Sequence, residues 1–81
     1  MSRLKTREKL RQELKFKENF KEIRELKGIT KDELSIKSGL TRRSIDYYEH
    51  GDRLPDFNAL VRLSEALETS IDTLVHGMKN K

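Results

Sequence analysis

The sequence predicts an all-α fold of five helices. Three observations carry this. Each of the four glycines (Gly28, Gly39, Gly51 and Gly77) follows a run with helical periodicity, where a left-handed residue closes a helix. Four of the runs open on a capping side chain: Thr30, Thr41, Asp56 or Ser70. No stretch shows the alternation of β-branched and polar residues that marks a strand.

The elements follow in order. The first helix ends at Lys27 and carries Phe20, Ile23 and Leu26. Thr30 opens the second, about 31–38, with Glu33 three residues on as a capping box and Ile29 and Leu34 as a hydrophobic staple. Thr41 repeats the logic for the third, about 42–50, with Leu40 and Ile45 as its staple. Asp56 caps the fourth, about 57–68, and Ser70 the fifth, about 71–76. The expected core is Phe20, Ile23, Leu34, Leu40, Ile45, Tyr48, Phe57, Leu60, Leu63, Leu67, Ile71 and Leu74. Ser35 and Ser38 are small, which lets the third helix cross the second closely.

Before the first core residue lies "RLKTREKLRQELKF", rich in helix formers and free of glycine and proline. Leu4, Leu10 and Leu14 share one side of a helical wheel, roughly opposite Phe16, Phe20 and Ile23. Either the helix breaks between Lys17 and Asn19, where Asn19 and Glu22 would cap a fresh start, or the leucines meet something else. The expected organisation is a basic extension at 1–16, helical or disordered, a domain at 17–78 and a short tail at 79–81.

Composition narrows the function. The chain has 81 residues, 33% hydrophobic and 40% charged, enough for one small domain. There is no cysteine, hence no disulfide or thiolate metal site. No run of eighteen apolar residues exists to span a membrane. MSRLKTREKL lacks the apolar stretch of a secretion signal, so the expected location is cytoplasmic. His50 and His76 lack ligand spacing, so neither metal nor cofactor is expected. Nothing arranges a nucleophile beside a base, so the chain is not expected to be an enzyme. The net charge of +4 is uneven: residues 1–17 carry +5 and the remainder about −1. A basic end on a near-neutral body suits an anionic partner such as nucleic acid, or is simply a solvated helix face.

The stretch "SGLTRRSIDYYEHG" adds a sharper clue. Arg42 and Arg43 stand at a helix start, where cations are disfavoured. Each could pair with Asp46, at i,i+4 and i,i+3, and the free protein is expected to show both pairs. The second and third helices, however, are joined by Gly39-Leu40-Thr41, the short glycine-opened turn of a helix-turn-helix. In that motif the second helix enters the DNA major groove with its N-terminal residues on base edges. Arginine takes guanine O6 and N7 together, worth about 1–3 kcal/mol of discrimination.

The pieces "FKEIRELKGIT", "KDELSIKSGLTRRSIDYYEHG", "LPDFNALVRLSEAL" and "SIDTLVHG" together resemble the Cro- and phage-repressor-type helix-turn-helix family, also called the xenobiotic-response-element family. They span 58 of 81 residues, Phe20 to Gly77, in that family's order and spacing. The resemblance implies a five-helix, lambda-repressor-like DNA-binding domain. By position it implies base contacts from Arg42, Arg43 and Tyr47, with Ser44 and Asp46 as further contacts. It implies phosphate contacts from Lys31 and the Thr30 cap, with Thr41, His50 and Arg53 flanking the same strand. It pairs Arg24 with Glu49, setting the angle of the third helix and presenting Arg24 toward phosphate. The chain departs from the pattern at Lys31, commonly glutamine; at Ser35, commonly alanine; and at Glu68, often glycine, so the turn after the fourth helix is expected to be built differently. Tyr47 is large for a base reader.

The resemblance also implies two-fold dimers, which set recognition helices about 34–36 Å apart. Ile71, Leu74, Val75 and Met78 offer more apolar groups than one small core needs, and are the expected homodimer surface. The expected function is a sequence-specific regulator of transcription on double-stranded DNA, a repressor on an inverted-repeat operator. The alternative is an antitoxin whose N-terminal leucines bind a toxin protein while it also binds its own operator.

Overall fold

The structure, a computed structural model, describes residues 15–77. Within them lie five helices: α1 at 15–26, α2 at Lys31–Ser38, α3 at Arg42–His50, α4 at Phe57–Leu67 and α5 at Ile71–His76. No strand occurs among the described residues.

Each helix start is chemically explicit. The Thr30 hydroxyl accepts from the Glu33 backbone at 3.1 Å while the Glu33 carboxylate accepts from the Thr30 backbone at 2.9 Å. Thr41, Asp56 and Ser70 likewise accept from Ser44, Ala59 and Thr73 at 2.8–3.0 Å. These bonds satisfy backbone N–H groups that the first turn leaves without partners. The residues of both expected staples face the core: Leu34 and Ile45 are buried, with Ile29 and Leu40 packed against the same cluster.

The core consists of Phe16, Phe20, Ile23, Leu34, Ile45, Tyr48, Ala59, Leu63, Leu67 and Leu74. α2 packs on both α3 and α4, and α4 on α5. Phe20 sits at the centre, stacked on Phe16 with centroids 5.7 Å apart and edge-on to Tyr48 at 6.5 Å. Leu40 and Leu60 are half-buried against this cluster, and Ile71 is half-buried on α5.

Four expectations need correction. Phe57 is not core but 71% exposed. It is the first residue of α4, whose inward stripe is Ala59, Leu63 and Leu67; two residues before Ala59 is about 200° round the helix, on the far side. Second, α1 does not break between Lys17 and Asn19; it is continuous through them. Asn19 is therefore no cap. It is buried, and its side-chain amide donates to the Val75 carbonyl at 3.1 Å, tying α1 to the end of α5. Third, Phe16 is a core residue of α1. Leu4, Leu10 and Leu14 lie outside the described residues. Fourth, Gly77 does not close α5 in the left-handed helical conformation: its φ is 89° but its ψ is 164°. That region is essentially glycine's alone. A Cβ there would also come within 2.9 Å of the Asn19 side-chain oxygen.

The turn after α4 is not built differently in its backbone: it keeps the left-handed cap without a glycine. Glu68 takes the left-handed conformation, φ 53° and ψ 48°, at the position where glycine was expected by resemblance. Its N–H bonds back to Glu65 O at 3.2 Å, and the Lys27 ammonium donates to its carbonyl at 3.3 Å.

Candidate nucleic-acid interface

The candidate face is built on α2, its turn and α3. Two serines hold the turn in shape. Ser35 Oγ donates to the Leu40 carbonyl at 2.6 Å, and Ser38 Oγ accepts from the Leu40 N–H at 3.1 Å. Size alone suggested close helix crossing; these hydrogen bonds give the serines a second role that the sequence did not signal. Arg62, from α4, adds a bond to the Ser38 carbonyl at 3.4 Å.

Behind the face, Arg24 of α1 grips Glu49 of α3. Its Nε and Nη2 both donate to the Glu49 carboxylate, and Nη1 donates to the Ile29 carbonyl at 2.8 Å. The two side chains are only 11% and 4% exposed. A buried carboxylate needs such a bidentate partner. The pair expected by resemblance is thus present, and it turns Arg24 toward the protein interior.

The ion pairs continue outward. Lys31 lies 3.1 Å from Asp46 and 3.9 Å from Glu49. Asp46 also faces Arg42 at 3.5 Å, and Arg42 reaches back across the turn to Asp32 at 2.6 Å. The result is an alternating row from α1 to the start of α3: Arg24, Glu49, Lys31, Asp46, Arg42, Asp32. α2 has Asp32 and Glu33 in its first turn; α3 has no acidic residue there. Asp32 supplies across the turn the negative charge that the arginine-bearing start of α3 lacks. The Asp32 hydrogen bond raises the Arg42 pKa further above its ordinary value. The Lys31 hydrogen bond, with Arg42 adding to it, holds Asp46 below the ordinary carboxylate range.

Of the two expected arginine–Asp46 pairs, the structure contains Arg42–Asp46 and not Arg43–Asp46. Arg43 is exposed and makes no ion pair among the described residues. Tyr47 is half-buried, with the Arg53 guanidinium over its ring at 4.7 Å. Gly51, in the left-handed conformation, folds the chain back so that Asp52 and Arg53 bond to the Tyr47 carbonyl. His50 Nδ1 donates to the Asp46 carbonyl at 2.9 Å, leaving Nε2 for another partner. Thr30 accepts one bond and keeps its hydroxyl proton. Thr41 spends its own proton on Ser44 Oγ at 3.0 Å. Burial raises the Tyr48 pKa, consistent with core rather than surface placement.

Leu74 is fully buried in the chain's own core, so it cannot also line a surface. Ile71 and Val75 remain half-buried on α5, and Met78 lies outside the described residues. No helix among the described residues is long and apolar enough to cross a membrane.

Comparison with known proteins agrees with this architecture. A helix-turn-helix family profile matches residues 20–74, more than half of the chain. An uncharacterised HTH-type transcriptional regulator from Bacillus subtilis, YqaE, is 38% identical over 66 residues, covering 82% of this chain. The match spans 57% of that relative's length. The crystal structure of the restriction-modification controller protein C.AhdI from Aeromonas hydrophila superposes with a TM-score of 0.73 at 29% identity, covering 76% of this chain and 94% of that one. The chain belongs to the Cro/C1-type helix-turn-helix family.

Proposed function

We propose that this chain is a sequence-specific regulator of transcription. It binds double-stranded DNA by placing the start of α3 in the major groove and represses by occluding a promoter. One observation carries the reading: Arg42 and Arg43 stand exposed at the first two positions of α3, on a turn braced by Ser35 and Ser38. Arg43 is ready to meet guanine O6 and N7; Arg42 exchanges Asp32 and Asp46 for the same kind of partner. Lys31, Thr30, His50 and Arg53 border this face, where phosphate contacts fix register without reading sequence. Tyr47 serves as the platform for Arg53.

Two such domains bind an inverted repeat, joined through α5 with Ile71 and Val75 at the contact. The location proposed with this reading is the cytoplasm. If each subunit neutralises about four phosphates, log affinity against log salt has a slope near −7 for the dimer.

The test is selection of bound duplexes from a random pool with wild type and Arg42→Ala/Arg43→Ala. Wild type should enrich two half-sites about one helical turn apart, and the double variant should lose them. Failure of wild type to enrich any sequence rejects the reading.

A further inference from the structure

We propose that Asp46 is a specificity-determining residue of this face, one that weakens binding to DNA in general and spares sequences that offer it an amine. The inference rests on the DNA-binding reading above and adds how that site discriminates.

Asp46, itself a further contact implied by resemblance, lies in the second turn of α3, between Arg42 and Arg43 on one side and Tyr47 on the other. Its carboxylate is tied to Lys31 at 3.1 Å and Arg42 at 3.5 Å. Both are cations that a DNA complex would use. On an arbitrary duplex, moving either cation to a phosphate leaves a carboxylate facing a polyanion with fewer counter-charges. That like-charge approach is unfavourable. The penalty disappears only if the duplex supplies a donor. In the major groove the donors are the exocyclic amines of cytosine N4 and adenine N6. A carboxylate accepts from either, and a thymine O4 or guanine O6 at that position would repel it. Arg42 bound to guanine and Asp46 bound to a neighbouring amine would satisfy both members of the present pair at once. Asp32 shares Arg42, at 2.6 Å, but sits on α2 with its side chain 76% exposed. It can restrain Arg42 without reading a base.

The experiment uses the full chain as wild type, Asp46→Asn and Asp32→Asn. Each is put through random-duplex selection and salt titrations on mixed-sequence DNA. Asp32 is exposed and Asp46 half-buried; both are replaced isosterically, and thermal melts confirm folding. Wild type should enrich an amine-bearing base at one position beside a guanine. Asp46→Asn should lose about tenfold of discrimination there. It should also bind mixed-sequence DNA more tightly, with a slope steeper by about 0.9 for each phosphate newly neutralised. Asp32→Asn should tighten general binding and leave the base preference intact. If wild type enriches an operator and Asp46→Asn enriches the same one with unchanged discrimination, this inference is wrong and the regulator reading stands. It is equally overturned if Asp32→Asn shifts the preference as Asp46→Asn does, because release of Arg42 would then be the whole effect. If wild type enriches nothing, both fall together.

Discussion

Arg24 of α1 and Glu49 of α3 form a buried, two-pronged ion pair, and the same guanidinium also holds the Ile29 carbonyl in the turn before α2. One side chain thus connects α1, the turn before α2, and α3. Arg24→Ala should cost about 3–5 kcal/mol in urea unfolding, because it leaves a buried carboxylate uncompensated. Lys31, 3.9 Å from Glu49, offers partial relief only. Arg24→Met combined with Glu49→Met should recover most of the loss, since apolar replacement of both partners removes the stranded charge. A double variant no more stable than Arg24→Ala would contradict this account.

Phe16 is 4% exposed and stacked on Phe20. Phe16→Ala should destabilise the domain by about 3 kcal/mol. A change under 0.5 kcal/mol in the denaturation midpoint analysis would show that the fold begins after residue 16.

Glu68 sits in the left-handed region at φ 53° without the freedom of glycine. Glu68→Gly should therefore raise stability by about 0.5–1 kcal/mol, the relief of strain exceeding the added chain entropy of the unfolded state. Glu68→Ala should gain nothing, having the same Cβ. Melting both variants beside wild type distinguishes strain from loss of the surface charge.

Asp46 carries the clearest acid dependence. Its folded pKa lies below the ordinary carboxylate value because Lys31 and then Arg42 favour the ionised form. A lowered folded value means that the stabilisation is whole above the unfolded carboxylate pKa of about 3.9 and fades as pH falls through the folded one. Urea midpoints measured between pH 6 and pH 2.5 should decline more steeply for wild type than for Asp46→Asn, the difference opening below about pH 4. Parallel curves would show that the pair adds nothing to folding.

What was legible in the sequence was chiefly local chemistry. A cap needs only its own helix start, so Thr30, Thr41, Asp56 and Ser70 could be placed from spacing alone, and all four bonds are present. Arg24–Glu49 spans 25 residues and was accessible only through resemblance. Asp32–Arg42 and Lys31–Asp46 depend on the angle between α2 and α3, which no spacing rule encodes. Phe57 misled because an aromatic beside a periodic run looks like core, whereas its helical phase points it away. Asn19 misled in the opposite way: a good capping residue became a buried tether because its partner is 56 residues distant.

That tether bears on cooperativity. α5 has six residues, too few to persist as a helix by itself. Its last turn is fastened by the Asn19 amide to α1, and Leu74 is wholly inside the shared core. The described fold is thus closed on itself, its final helix clasped to its first. Hydrogen exchange in α5 should then proceed with the free energy of global opening rather than by fraying from the end.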